Sequence, residues 1–186
     1  MGWFCVYEDQ LLAGVRLPIH PFLLDILNHY RMSLAQIAPN GVRILIRFIL
    51  TCLENQVEPT IDLFRYFFQL RRGLQATGYR FFQSRTAWKI VTPENNQRWK
   101  SRFFFIRNRG LGLVEEWNYD TTPDSFPDHD GYKSDGRSVL EKLPCPSTLR
   151  VGEDELIKYG LSAAPSGTTP KTRKSRCAKG LLRFIF

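Results

Sequence analysis

The strongest constraint on the fold is a run of apolar residues at helical spacing. Val42, Leu45, Ile46, Ile49, Leu50 and Leu53 recur at i, i+3, i+4 and i+7, the period of a helix with one buried face. Arg43, Arg47 and Glu54 fall on its other side. Such a stripe must be buried against other elements, so the chain has to build a core around it. Ser33 and Gln36 have the spacing of a capping box and start a short helix. Pro39 is read as ending that helix, and Asn40 as capping the long one.

The flanking segments can supply the partner surface. Residues 3–7 read as a short strand, and residues 8–13 as a turn or two of helix stopped by Gly14. Pro21 suits the first turn of a helix running to about Tyr30, which buries Phe22, Ile26 and Leu27 with Leu23 and Tyr30. Thr60 is the N-cap of a further helix, with Asp62 in its first turn. Ile61, Phe64, Phe67 and Phe68 form the stripe of that helix, and Arg71, Arg72 and Gly73 close it.

The period then changes. Residues 79–84, 88–91 and 101–106 are aromatic or β-branched with breakers between them, the pattern of two or three antiparallel strands. Residues 92–97 form a connecting loop. Phe103, Phe104 and Phe105 in succession put rings on both faces of a strand. The helices cover one face, and the other needs a separate explanation.

A chain of 186 residues can bury roughly 70% of its unfolded surface, so a core needs no disulfide framework. The expected fold is α+β: an N-terminal helical bundle packed on a small antiparallel β-sheet, with a loop-rich C-terminal region. The chain divides into a domain at 1–119, an acidic flexible loop at 120–150, a short helix at 151–164 and a basic, disordered tail at 165–186.

Charge is distributed in blocks. The total is +8, yet residues 65–109 carry eleven Arg and Lys against Glu94 alone. Residues 110–160 are acidic, and residues 161–186 hold six basic groups and no acid. A basic face attracts phosphate backbones by counterion release. Arg80, Arg85, Lys89, Arg98, Lys100, Arg102, Arg107 and Arg109 interleave with Phe81, Phe82, Trp88, Trp99 and the Phe103–Phe105 run. Rings on a sheet flanked by Arg can stack bases while the charges hold phosphates. Lys171, Arg173, Lys174 and Arg176 form a second basic cluster, in the tail.

Several chemistries lack their residues. No GxSxG elbow or Walker A pattern occurs, and Glu115 stands where a dinucleotide loop beginning at Gly110 needs its third Gly. No DTG or DSG protease triplet, YxDD polymerase motif or CCHC zinc knuckle is found. His20, His29 and His129 are isolated, and Cys5, Cys52, Cys145 and Cys177 lie far apart without zinc spacing. In the acidic segment, placing Gly131 sixth in a calcium loop puts Phe126 first and Arg137 twelfth, where ligands belong. The reading is therefore no catalytic residue, no metal, no cofactor and no small-molecule ligand. Arg43 and Arg47 interrupt the longest apolar run, so no membrane helix is expected. The scattered cysteines and the absence of a signal peptide fit an intracellular protein of nucleus or cytoplasm, not a secreted one.

The segment Gly14-Val15-Arg16-Leu17-Pro18-Ile19-His20-Pro21-Phe22 resembles the plant domain family known as putative gypsy-type transposon. The likeness continues through Leu34-Ala35-Gln36-Ile37-Ala38-Pro39-Asn40 and Val57-Glu58-Pro59-Thr60, with Leu63-Phe64 and Phe67-Phe68. It ends at Trp99-Lys100-Ser101-Arg102-Phe103-Phe104-Phe105-Ile106, covering roughly residues 3–120. The resemblance implies an origin in plant retrotransposons and supplies no catalytic residues. Together with the basic aromatic segment it points to a non-enzymatic, gag-like structural or nucleic-acid-associated module with DNA or RNA as partner. The alternative is a protein-interaction module that self-associates through exposed rings and binds no nucleic acid.

Overall fold

The computed structural model describes residues 2–73, 78–93, 98–108, 113, 136–147 and 151–163. The chain enters as strand β1 (Trp3–Tyr7) and turns directly into helix α1 (Glu8–Leu12). Gly14 ends the turn at φ +111°, a conformation that favours glycine. A Cβ there would also stand 2.9 Å from Ile46. Helix α2 (Pro21–His29) follows, with Pro21 in its first turn and the His20 Nδ1 accepting a hydrogen bond from the Phe22 N–H. A 3₁₀ turn at Leu34–Gln36 then carries the capping box of Ser33 and Gln36.

Helix α3 (Pro39–Glu54) is the central element. Its start corrects the sequence reading: Pro39 opens this helix, with Ala38 at the cap. Proline is suited to that first position because its missing N–H would have no partner there. Asn40 lies inside the helix, where its side chain accepts from Arg43 and donates to the Pro93 carbonyl. The helix is also buried on more than one face. Ile44, Phe48, Thr51 and Cys52 are covered along with the expected stripe, so neighbours pack around it on several sides.

Helix α4 (Ile61–Phe67) starts as expected, with the Thr60 hydroxyl accepting from the Leu63 N–H. It ends sooner than expected. Phe68 leaves helical backbone, and strand β2 (Phe68–Arg72) follows without a loop. Strand β2 pairs antiparallel with β3 (Arg80–Ser84), Leu70 lying opposite Phe82. A 3₁₀ turn at Trp99–Ser101 leads into β4 (Phe103–Arg107), which returns to pair antiparallel with β1. The expected single sheet is thus two two-stranded sheets among the described residues, β1–β4 and β2–β3. Residues 88–91, read as a strand, make only an isolated bridge between Val91 and Ser147. The architecture is α+β, as expected.

The rings explain the packing. Phe64 stacks on Phe68 at 5.0 Å and meets Phe48 and Phe82 edge-on at 5.1 and 4.9 Å. Edge contacts of this kind add to simple burial. Phe22 joins from α2, and Trp88 packs on Phe67 at 4.7 Å. Two short C-terminal helices, α5 (Arg137–Leu140) and α6 (Glu153–Lys158), reach the same core. Leu140 and Leu156 are fully buried in it, and Leu161 nearly so. Arg16 pairs with Glu153 and Arg47 with Glu155, so α6 covers the polar side of α3. This is why Arg47, expected on an open face, is half-buried. Burial disfavours the Glu153 anion, but hydrogen bonds from Arg16 and Ser162 prevail and hold the carboxyl below its usual range.

Candidate functional site

The open face of the β1–β4 sheet gathers what the core does not absorb. Strand alternation turns Phe4 and Val6 inward, where they are 2% and 1% exposed. Trp3, Cys5 and Tyr7 therefore point outward, opposite Arg107, Phe105 and Phe103. Trp3 is 57% exposed, Phe103 49% and Phe105 62%. Large rings left this open are informative in a way that an isolated exposed leucine is not.

A cleft of about 340 Å³ lies on this face, lined by Trp3, Cys5, Tyr7, Ala35, Lys100, Phe103 and Phe105 among others. Its walls are braced. Phe103 and Phe105 meet edge-on at 5.6 Å. Tyr7 meets Trp99 at 4.7 Å, and Trp99 meets Tyr79 at 5.1 Å. The Tyr7 and Tyr79 hydroxyls lie 2.9 Å apart. Burial, with the bond to Tyr79, pushes the Tyr7 phenol well above its ordinary range, so it stays protonated. Burial likewise raises the Cys5 thiol, against a hydrogen bond from Tyr7, which keeps it a poor nucleophile.

Cations rim the rings. The Lys100 ammonium sits 4.4 Å from the centre of the Tyr79 ring, and the Arg107 guanidinium 5.8 Å from that of Trp3. Both distances are within cation–π range. The arrangement offers planar apolar surfaces with positive charge at the edge, and among the described residues no group of His, Cys, Asp and Glu is placed to hold a metal.

The residues singled out by sequence do not all meet here. Lys100 and Arg107 do. Arg98 and Lys89 are exposed, Arg98 just before the Trp99 turn and Lys89 in the segment packed near Cys145. Arg85 is half-buried, with its Nε donating to the Phe68 carbonyl. Arg80 is 3% exposed and turned inward in β3. Burial, then the nearby Arg72, draws its guanidinium below the ordinary value. Arg102 is ion-paired with Glu8 at 3.0 Å and with the buried Asp9 at 3.4 Å. Arg109 and the cluster Lys171, Arg173, Lys174 and Arg176 lie outside the described residues, as do residues 120–135. Sequence reading missed Trp3 and Tyr7 as part of this face. Trp3, Cys5 and Tyr7 alternate with Phe4 and Val6, and either set is apolar enough to be the buried one.

The comparisons with known proteins bear on the fold that presents this face. Residues 4–72 match the model of the family described as "Putative gypsy type transposon". The expected resemblance is thus borne out over the N-terminal segment. The gypsy-type match runs from β1 through β2 and stops before the Trp99–Ser101 turn and β4. An Arabidopsis thaliana protein named as uncharacterized and chloroplastic is 25% identical over 109 residues, or 56% of this chain. The matched part is 14% of that relative's length, so the chain corresponds to a small portion of it. No solved structure matches the chain. Among the described residues no helix is long and apolar enough to cross a membrane.

Proposed function

We propose that this chain is a non-enzymatic, retrotransposon-derived plant module that holds single-stranded nucleic acid in a gag-like structural role. The observation that carries the reading is the set of exposed rings Trp3, Phe103 and Phe105 beside Lys100 and Arg107. Base–aromatic stacking contributes about 1–3 kcal/mol per base and tolerates any sequence, because every base has a flat face. Lys100 and Arg107, with Arg98 nearby, supply phosphate contacts at the margin. A duplex keeps its bases stacked on each other, so the face favours single strands. The match to the gypsy-type family supports the retroelement origin.

The test is binding of single- and double-stranded oligonucleotides across a salt series, with the full chain and with a version ending at Pro165. The expected result is single-strand preference by both. Phe105→Ala should weaken binding by about 1–3 kcal/mol. Lys100→Ala should reduce the salt slope by about 0.7, because one phosphate fewer is then neutralised. Equal binding by Phe105→Ala and the parent chain would refute the face. Loss of binding on truncation would assign it to the tail.

A further inference from the structure

The outer edge of β4 leads beyond the ring face. The Glu8 N–H donates to the Arg102 carbonyl and the Asn108 N–H to the Gly2 carbonyl. With the register Phe4 to Ile106 and Val6 to Phe104, the antiparallel ladder therefore bonds through its even-numbered residues. The backbone N–H and C=O groups of Phe103, Phe105 and Arg107 face away from β1. Among the described residues none bonds to them. The strand has no Pro, Lys or acid, and its one charged residue, Arg107, stands at its end, so little protects the edge along its length. Its side chains are exposed at four of five positions. A two-stranded sheet is also marginal by itself.

We propose that β4 pairs antiparallel with β4 of a second copy of this chain, joining two β1–β4 pairs into one four-stranded sheet. The strand's own sequence selects this occupant. Centred on Phe105, the two-fold register sets Phe105 against its own counterpart and each Phe103 against the other copy's Arg107. The guanidinium then faces a ring, as it already does at Trp3, and the two arginines stand at opposite ends. The three outward residues of each strand allow about six new backbone hydrogen bonds. An isologous pairing of this kind closes at two copies. It also joins the two ring faces on one side of the sheet, since directly opposed residues share a face.

The experiment is sedimentation of the full chain over a concentration series, with amide hydrogen exchange read at single residues. The expected result is a monomer–dimer equilibrium in which the Phe103, Phe105 and Arg107 amides gain protection as concentration rises. The Phe104 and Ile106 amides, already bonded to β1, should be protected throughout. Phe105→Pro removes one edge N–H from each copy without touching the β1 ladder. It should weaken the dimer by about 30-fold, the loss of two ordinary hydrogen bonds. A monomer at every concentration would overturn the proposal. So would a dimer in which the Phe105 amide exchanges equally fast at all concentrations, because association would then run through rings alone. These measurements use no nucleic acid, so failure of oligonucleotide binding would count only against the proposed function.

Discussion

Leu156→Ala measures how far residues 151–163 belong to the core. Leu156 is fully buried and shares one apolar cluster with α2, α3 and α4. Truncation to Ala removes three carbons, about 2.4 kcal/mol at ~0.8 per methylene. The cavity left behind adds to this, giving about 3 kcal/mol in all. For a domain of this size that corresponds to a fall of about 6–12 °C in Tm. The assay is urea unfolding followed by circular dichroism, with the thermal midpoint as a second reading. Asp154→Asn, on the exposed side of the same helix, should change the midpoint far less. A loss below about 1 kcal/mol for Leu156→Ala, typical of a surface site, would refute the reasoning and leave α6 as an appendage.

Arg102→Ala should destabilise the fold, because Asp9 keeps its buried carboxylate while losing this partner. The half-exposed arginine limits the cost to about 1–2 kcal/mol, and Arg98→Ala compared in the same thermal melt should cost less. Burial, partly opposed by Asp25, lowers the His20 pKa below its ordinary 6.5. The unfolded chain therefore binds the proton first. Stability is fully present above about pH 6.5 and falls as pH drops from there through the lowered folded value. His20→Asn keeps a capping oxygen and should flatten that part of a stability–pH curve; an unchanged curve would remove His20 as its cause. Among the described cysteines, Cys145 is exposed and should react first with a thiol reagent. Burial pushes the Cys52 thiol up to about 12, so mass spectrometry should find it modified only after denaturant is added.

Much of the helical framework is legible in the sequence because helices declare themselves locally. The stripe from Val42 to Leu53, the Thr60 cap and the Ser33–Gln36 box each rest on residues within a few positions of one another. Pro39 is ambiguous in sequence because proline both stops one helix and starts another, and only the backbone at Ala38 decides between them. The change from α4 to β2 is hidden because Phe64, Phe67 and Phe68 satisfy a helical stripe and a buried strand equally well.

The candidate site is half legible. The Phe103–Phe105 run and the surrounding Arg and Lys residues stand out by composition, but their directions do not. Arg80, Arg102 and Lys100 are alike as basic residues near rings, yet one is buried in β3, one is paired with Glu8 and Asp9, and one lies against Tyr79. The sequence by itself determined the apolar stripe of α3, the Thr60 cap, the Ser33–Gln36 box, the run of rings from Phe103 to Phe105 and the basic block around it. The tertiary structure alone decided that β1 and β4, about a hundred residues apart in number, would pair and turn Trp3, Phe103 and Phe105 to one open side. Local pattern fixes which residues alternate, whereas the side that faces water depends on what packs against the other.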